Sequence, residues 1–543
     1  MNDLNFPSLD RYFAEFLAAR SGLSGAAKER FQELVARVSG ALEEGHSCLS
    51  VSEGDERFLS VSSLVSGGGP TPLVIYNHRL YLHRYFHYET RLAEQIRIMA
   101  AITMAPELDE QLIDTYFDDS GTGTDWQKEA AEVALCRALT IICGGPGTGK
   151  TTTVVKILAL LLQAAEGRRV PAVALAAPTG KAAMRLSEAV GKSLAHLQLP
   201  EKVKNALPTA ASTLHRLLGV RRGSPQFRHN RDNPLGWDIV VVDEASMVDL
   251  ALMSKLVDAI KPGARLILLG DKDQLASVES GAVLGDFIRS LPQNTVELQR
   301  TYRFEVGIKQ LAEAINGADS ATAWGVLQES QATNVSVLTE EMVGFISRRY
   351  VPFMAMANQP GALDIVQLFA QFNSFRVLCA LHYGNRGVDP INRQVELALM
   401  QHGFPCRPDT WYPGRPVLIT RNDYSLDLYN GDIGICLADP EKGELQVWFE
   451  RAGGGWRSYP PSRLPGCKTV FAMTIHKSQG SEFDEVLVVL PEEDNRILSR
   501  ELVYTAVTRA KKAVRLVAEK EILRLALSRN IERTSGLVDL LTA

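Results

Sequence analysis

Residues Gly144-Gly145-Pro146-Gly147-Thr148-Gly149-Lys150-Thr151 satisfy the pattern G-x-x-x-x-G-K-[ST] in full. They follow a short apolar run, Leu139–Cys143, and open a helix expected from about Thr151 to Ala165. A loop in that place is a phosphate cradle. Its glycines let successive backbone N–H groups converge on phosphate oxygens, and the helix N-terminus adds partial positive charge. Lys150 is placed to reach the β- and γ-phosphates of a nucleotide such as ATP. Thr151 offers a hydroxyl to Mg2+, and Thr152 follows in the same turn. The order strand, loop, helix also constrains the fold: it requires a parallel sheet covered by helices.

Further apolar runs extend the alternation. Val170–Ala177, Asp238–Val242 and Arg265–Leu269 are strand candidates with amphipathic helices between them. A second set follows at Phe375–His382, Thr469–Ile475, Glu485–Leu490 and Ala513–Ala518. Between the later strands, residues 411–464 change character, with short strands at Pro416–Thr420, Asp432–Leu437 and Glu444–Phe449 separated by Gly-rich turns. That pattern predicts a small antiparallel barrel inserted in the second α/β unit. The expected division is an N-terminal unit of mixed and helical character over 1–118, a first α/β domain over 119–295 and a second over 296–543. In the N-terminal unit, Leu9–Arg20 and Lys28–Leu42 have helical spacing, and residues 73–82 are strand-like.

Val240-Val241-Val242-Asp243-Glu244 ends an apolar strand in paired carboxylates. A D-E pair alone is usually a solvated strand end. Downstream of a phosphate loop, at the end of another parallel strand, Asp243 is placed to hold Mg2+ and Glu244 to polarise an attacking water.

Around these lies an ordered series of short segments. It begins with Asp125-Trp126-Gln127-Lys128 and, after the phosphate loop, Ala177-Pro178-Thr179-Gly180-Lys181-Ala182-Ala183. Ser212-Thr213-Leu214-His215, Val242–Ser246, Leu269-Gly270-Asp271-Lys272-Asp273-Gln274-Leu275 and Gln299-Arg300-Thr301-Tyr302-Arg303 come next. Thr474–Asp484 and Val503–Lys512 close it. The series resembles a superfamily-one helicase, and among these the RecD family, the α subunit of bacterial exodeoxyribonuclease V (the RecBCD complex). The resemblance is firm over about 120–515 and weaker over 1–118.

The resemblance implies two RecA-like motor domains, an SH3-like inserted barrel and a small DNA-facing insertion at about 203–236. It implies an ATP-dependent, 5′ to 3′ DNA motor acting in double-strand break repair by homologous recombination and in degradation of linear DNA. The substrates would be single-stranded DNA and duplex ends, the partners RecB-like and RecC-like subunits, and residues 1–118 the docking unit. By family pattern Gln127 reads adenine, Tyr302 stacks on the base and Glu482 contacts the nucleotide. Gln274 senses the γ-phosphate, and Arg303 and Arg509 reach it from the second motor domain. Thr179, Lys181, His215 and His476 face single-stranded DNA. Two other readings stay open: a stand-alone RecD-like helicase, and a nucleotide-gated subunit that binds DNA without moving.

The stretch 215–231 carries Arg216, Arg221, Arg222, Arg228 and Arg231, two histidines and no acid, the most basic short stretch of the chain. It suits phosphate contacts. His83 and His87, at i, i+4 with Glu89 nearby, are set aside as metal ligands because no third ligand is in register and the surroundings alternate like a strand. Asp439, Glu441 and Lys442 read as a charged turn, not a nuclease cluster, so nuclease activity is expected on another chain. Residues 320–365 read only as helix.

Composition sets the remaining bounds. Hydrophobic residues at 45% and charged ones at 22% exclude a disordered chain and a coiled-coil rod. A net charge of −5 excludes a basic coat over the whole surface but leaves room for a local groove. The longest apolar runs, such as 157–162, are too short for a membrane span, and the first residues lack a secretory pattern. Seven dispersed cysteines without C-x-x-C spacing read as reduced thiols. A cytoplasmic protein is the expectation.

Overall fold

The computed structural model describes residues 7–104, 110–117, 125–165, 168–221, 223–277, 279–300, 305–329, 334–359, 364–423, 425–439, 443–451 and 454–543. Two parallel sheets organise it. The first has the order Thr295–Glu297, Leu139–Cys143, Arg265–Gly270, Ile239–Val242, Val173–Ala177, Ser212–Thr213, with every neighbouring pair parallel. Of its central strands, Leu139–Cys143, Val173–Ala177 and Ile239–Val242 are buried along their whole length and Arg265–Gly270 in all but its first residue. Helices cover both faces, so these strands read as unbroken apolar runs instead of alternating ones.

The second sheet has the order Val335–Val337, Ala510–Val517, Phe483–Val489, Phe375–Cys379, Ala472–Thr474, again all parallel. The expected strand 469–475 is in fact two: Cys467–Thr469 joins a separate antiparallel sheet, and only Ala472–Thr474 joins the parallel one. Residues 320–365 are not all helix, because Val335–Val337 forms an edge strand between helices Ser320–Gln328 and Met342–Ala357.

The antiparallel sheet has five strands in the order Trp456–Tyr459, Leu445–Glu450, Ile433–Ala438, Pro416–Ile419, Cys467–Thr469. It therefore runs past the expected limit at 464. Val417, Ile419, Cys436, Val447 and Phe449 form its own core. Its end strands do not pair with each other among the described residues.

The N-terminal residues build a four-stranded sheet, Leu49–Ser50, Arg79–Leu82, Leu73–Tyr76, Val65–Ser66, with helices Ser8–Ala18 and Gly25–Glu43 packed on it. Asn77 and His78, both at positive φ, make the two-residue turn of the hairpin. His83 and His87 lie on a helix, His83–Ala101, and not in a strand; their rings stack at 6.3 Å. That helix belongs in its packing to the first parallel sheet. Leu92, Ala93 and Ile96 share a core with Leu252, Met253 and Leu256 of helix Leu250–Ala259. Leu537 and Leu541 of the last helix, Leu537–Thr542, enter the same core. After helix Lys520–Ser528 the chain thus leaves the second sheet and returns to the first. Among the described residues no helix is long and apolar enough to cross a membrane.

Candidate functional site

The phosphate loop leaves strand Leu139–Cys143 at its carboxyl end and enters helix Lys150–Gln163. Gly147 and Gly149 have φ of +80° and +84°, the left-handed region that a side chain disfavours. Gly149 is also crowded: a Cβ there would lie 2.7 Å from Gln127 Nε2. Lys150 Nζ folds back and donates to the carbonyls of Gly144 at 2.6 Å and Gly145 at 3.0 Å. Thr148 Oγ1 donates to Gly145 O at 2.9 Å, tightening the loop from inside. Gln127 sits on helix Trp126–Cys136, capped by Asp125, and its Nε2 donates to Thr148 O at 3.4 Å.

Asp243 and Glu244 follow strand Ile239–Val242, and Asp271 follows Arg265–Gly270. All three therefore sit beside the phosphate loop at the carboxyl edge of the sheet, where such folds bind ligands. Glu244 holds a left-handed φ of +52°, and its N–H donates to Asp243 Oδ1 at 2.8 Å. Burial and the Glu244 charge push the Asp243 carboxyl above its ordinary range, while Lys150 pulls it back. Asp271 is also pushed up by burial. Gln274 Nε2 donates to its Oδ2 at 2.9 Å, which fixes the amide beside the loop.

The second sheet closes the site. A cavity of about 290 Å3 is lined by Gly147, Lys150, Thr151 and Thr152, by Asp243, Glu244 and Gln274, and from across the cleft by Glu482 and Arg509. Pro146 and Gly149 line it too. Arg509 is 2% exposed; its Nε donates to Thr505 O at 3.1 Å and its Nη1 to Ser481 O at 3.3 Å. Among the described residues its Nη2 has no hydrogen-bond partner, a buried cationic donor on the wall of the cavity. Arg185 Nη2 donates to Glu482 O at 3.2 Å and Gln479 Nε2 to Leu275 O at 2.8 Å, both bonds running between the two sheets' units. Tyr302 and Arg303 lie outside the described residues.

Thr179 caps helix Gly180–His196, its Oγ1 accepting from Ala182 N at 3.2 Å. With His215 and Arg216 it lines a cavity of about 460 Å3, whose other wall is Asn422, Tyr429 and Asn430, in the connection between strands Pro416–Ile419 and Ile433–Ala438 of the antiparallel sheet. Arg216, Arg221, Arg228 and Arg231 are exposed, and Arg222 lies outside the described residues. Lys181 lines the adjoining cavity, its Nζ 5.7 Å from the centre of the Phe483 ring. Burial, with Arg185 and Arg376 nearby, lowers the Lys181 pKa to about 7 against the opposing pull of Asp432 and Glu450. His476 lines neither cavity; burial and the charge of Arg533 push its ring pKa down.

Several residues of this constellation have no role from sequence. Asp271, Tyr504 and Thr505 stand inside the motif segments, so the sequence carries a signal for them. Arg185 and the 422–430 loop carried none, because their relevance depends on which surfaces meet. Glu441 and Lys442 lie outside the described residues. Among the described residues no cluster of three or more His, Cys, Asp or Glu could hold a metal.

Comparison with known proteins agrees with the two-sheet arrangement. An AAA domain family model matches residues 127–280, and a UvrD-like helicase C-terminal domain model matches 469–517. The RecBCD enzyme subunit RecD of Mycolicibacterium smegmatis is 43% identical over 475 residues, covering 87% of this chain and 83% of its own. The protein of the same name from Haemophilus influenzae is 38% identical, with 87% and 81% covered. The ATP-dependent RecD2 DNA helicase of Deinococcus radiodurans is 32% identical, covering 85% of this chain and 57% of its own. With relatives this similar over most of both lengths, the chain belongs to the RecD family of superfamily-one helicases.

Proposed function

We propose that this protein is an ATP-dependent DNA helicase subunit of a RecBCD-type complex, moving 5′ to 3′ along single-stranded DNA. The observation that carries the reading is the composite cavity, in which Lys150, Asp243, Glu244 and Gln274 from one sheet face Glu482 and Arg509 from the other. A nucleotide held between two bodies draws them together, and its hydrolysis releases them. Lys150 exchanges its loop carbonyls for the phosphates. Glu244 orients the attacking water. Arg509 brings the unpartnered Nη2 to the γ-phosphate, where it stabilises charge in the transition state. Arg303 is assigned the same task and Tyr302 the base, from their motif alone. Gln127 reads the adenine edge.

Thr151 and Asp243 suit Mg2+. The buried Asp243 carboxyl, next to Glu244 and compensated only in part by Lys150, is a site that favours a cation. The ion would supply charge neutralisation on the phosphates.

Single-stranded DNA is assigned to the face bearing Thr179, Lys181 and His215, with the exposed arginines of 216–231 contacting phosphates, and His476 is assigned to DNA from its motif alone. The antiparallel sheet over 416–469 acts as the SH3-like wall of that track. Residues 8–82 dock a RecC-like subunit beside a RecB-like one. Leu9, Tyr12 and Phe16, spaced along one helix and 72%, 61% and 53% exposed, support that assignment.

The test is ATP hydrolysis by the purified chain, with and without single-stranded DNA, beside Lys150→Gln. Turnover stimulated by DNA and lost in Lys150→Gln is expected. No turnover, alone or with RecB-like and RecC-like chains, or full turnover by the variant, would overturn the reading.

A further inference from the structure

In its described residues, the segment 271–281 leads from the nucleotide cavity to the N-terminal unit. At its start, Gln274 faces the cavity and is held by Asp271. In its middle, Leu275 N donates to Thr505 Oγ1 at 2.9 Å and Leu275 O accepts from Gln479, so it is gripped by the second sheet's unit. At its end, Ser280 Oγ donates to Leu42 O at 3.2 Å and Gly281 N to Gly45 O at 2.9 Å, so it reaches the turn after helix Gly25–Glu43.

One side chain pins that end. Arg533, in the strap between helix Lys520–Ser528 and the last helix, donates from Nη1 to Glu279 O at 2.7 Å and Gly281 O at 2.9 Å, and from Nη2 to Ser277 O at 2.5 Å. The turn at Gly45 lies close against the guanidinium: with φ at +89°, a Cβ there would be 2.8 Å from Arg533 Cζ. The next residue ties the strap to the N-terminal unit. Thr534 N donates to His46 Nδ1 at 2.8 Å, and Thr534 O accepts from Ser47 N at 3.0 Å. Three carbonyl oxygens accept from two nitrogens of one guanidinium, which the fixed fork of an arginine supplies and the single nitrogen of a lysine does not.

We propose that Arg533 is a positioning residue for the motor, fixing Ser277 and Glu279–Gly281 against the N-terminal turn 42–47 so that changes at Gln274 pass through the strap to the partner-docking unit. The proposal rests on the helicase reading above and names how its cleft communicates with the N-terminal unit. The strap is the means: it leaves one motor sheet, crosses this loop and is anchored in the core of the other.

The test uses the full chain as wild type, Arg533→Lys and Arg533→Ala. ATP turnover is measured with and without single-stranded DNA. Amide exchange over 42–47 is measured with and without a non-hydrolysable ATP analogue plus DNA. In both variants DNA-stimulated turnover is expected to fall at least tenfold more than DNA-free turnover, with KM for ATP within twofold. The ligand-dependent change in exchange at 42–47 is expected to vanish. Lysine is expected not to rescue. Wild-type stimulation together with an undiminished exchange response in Arg533→Ala would overturn the proposal. Should Arg533→Ala fail to fold, Gly45→Ala, which crowds the guanidinium from the other side, is expected to give the same pattern, and a wild-type response there overturns it. A wild-type chain without DNA stimulation defeats the helicase reading instead. The exchange response then decides Arg533 separately: if it persists in Arg533→Ala, the positioning role falls.

Discussion

Tyr504 donates its hydroxyl to Asp271 Oδ2 at 3.3 Å, joining a helix of the second motor unit to the carboxyl end of a strand in the first. The same hydroxyl backs the phosphate loop, since a Cβ on Gly145 would lie 3.0 Å from it. Tyr504→Phe removes one hydrogen bond to a buried carboxylate, worth about 1–2 kcal/mol. The expected outcome is a loss of that order in urea unfolding, with reduced DNA-stimulated turnover. Stability and turnover both equal to wild type would show the contact to be idle.

Lys150→Gln keeps a side chain that can hydrogen-bond the carbonyls of Gly144 and Gly145 but loses the charge. Turnover is expected to fall by about 10²–10³-fold, the usual cost of losing a group that stabilises transition-state charge. The fold is expected to persist, as near-unchanged circular dichroism would report.

Arg509→Lys retains the charge and loses the planar fork that now spans Thr505 O and Ser481 O. Arg509→Ala removes both. Turnover is expected to drop by about 10³-fold in the alanine variant, while fluorescent-nucleotide binding changes far less. Equal losses of binding and turnover would place Arg509 in ground-state binding only.

Lys181 carries a depressed pKa of about 7. Between that value and its ordinary 10.5 the unfolded chain binds a proton that the folded one does not, so stability rises with pH across this window. Lys181→Met should lack that rise, and urea midpoints at pH 7 and 9 measure the difference. Phosphates beside Lys181 would draw a proton onto it. DNA affinity of the wild type should therefore weaken from pH 7 to 9 more steeply than that of Lys181→Met, by fluorescence anisotropy at fixed salt. Parallel slopes would remove Lys181 from the DNA track.

Deleting 1–118 would strip helix His83–Ala101 from the core it shares with Leu252 and Leu256, so docking is better tested at the surface. Replacing Leu9, Tyr12 and Phe16 by serine is expected to abolish co-purification with a RecC-like chain while ATP turnover by the isolated chain persists. Retained assembly would move the docking surface elsewhere.

The phosphate loop, the Asp243–Glu244 pair and the buried strands were legible because each is a local pattern with a local cause. A Gly-rich turn must end in a helix, and a strand covered on both faces must be apolar throughout. Edge strands were not legible: Ser212–Thr213, Val335–Val337 and Cys467–Thr469 are two or three residues long and exist only because a neighbouring strand offers them partners. His83 and His87 misled for a related reason, since the strand-like alternation before them continues from Arg79–Leu82 into the helix without a capping residue to mark the change.

The sequence by itself determined that a Gly-rich loop, Gly144–Thr151, links a strand to a helix within a parallel sheet, and to which family the chain belongs. Those features are carried by contiguous residues whose backbone conformations are set locally. Only the tertiary structure decided which groups face each other. The opposition of Arg509 and Lys150 across the cleft was already implied by the family pattern; by contrast, Tyr504 meets Asp271, and Arg533 meets Ser277 and Gly45, each pair hundreds of residues apart. Such contacts depend on the packing of whole units, and no short stretch of sequence encodes them.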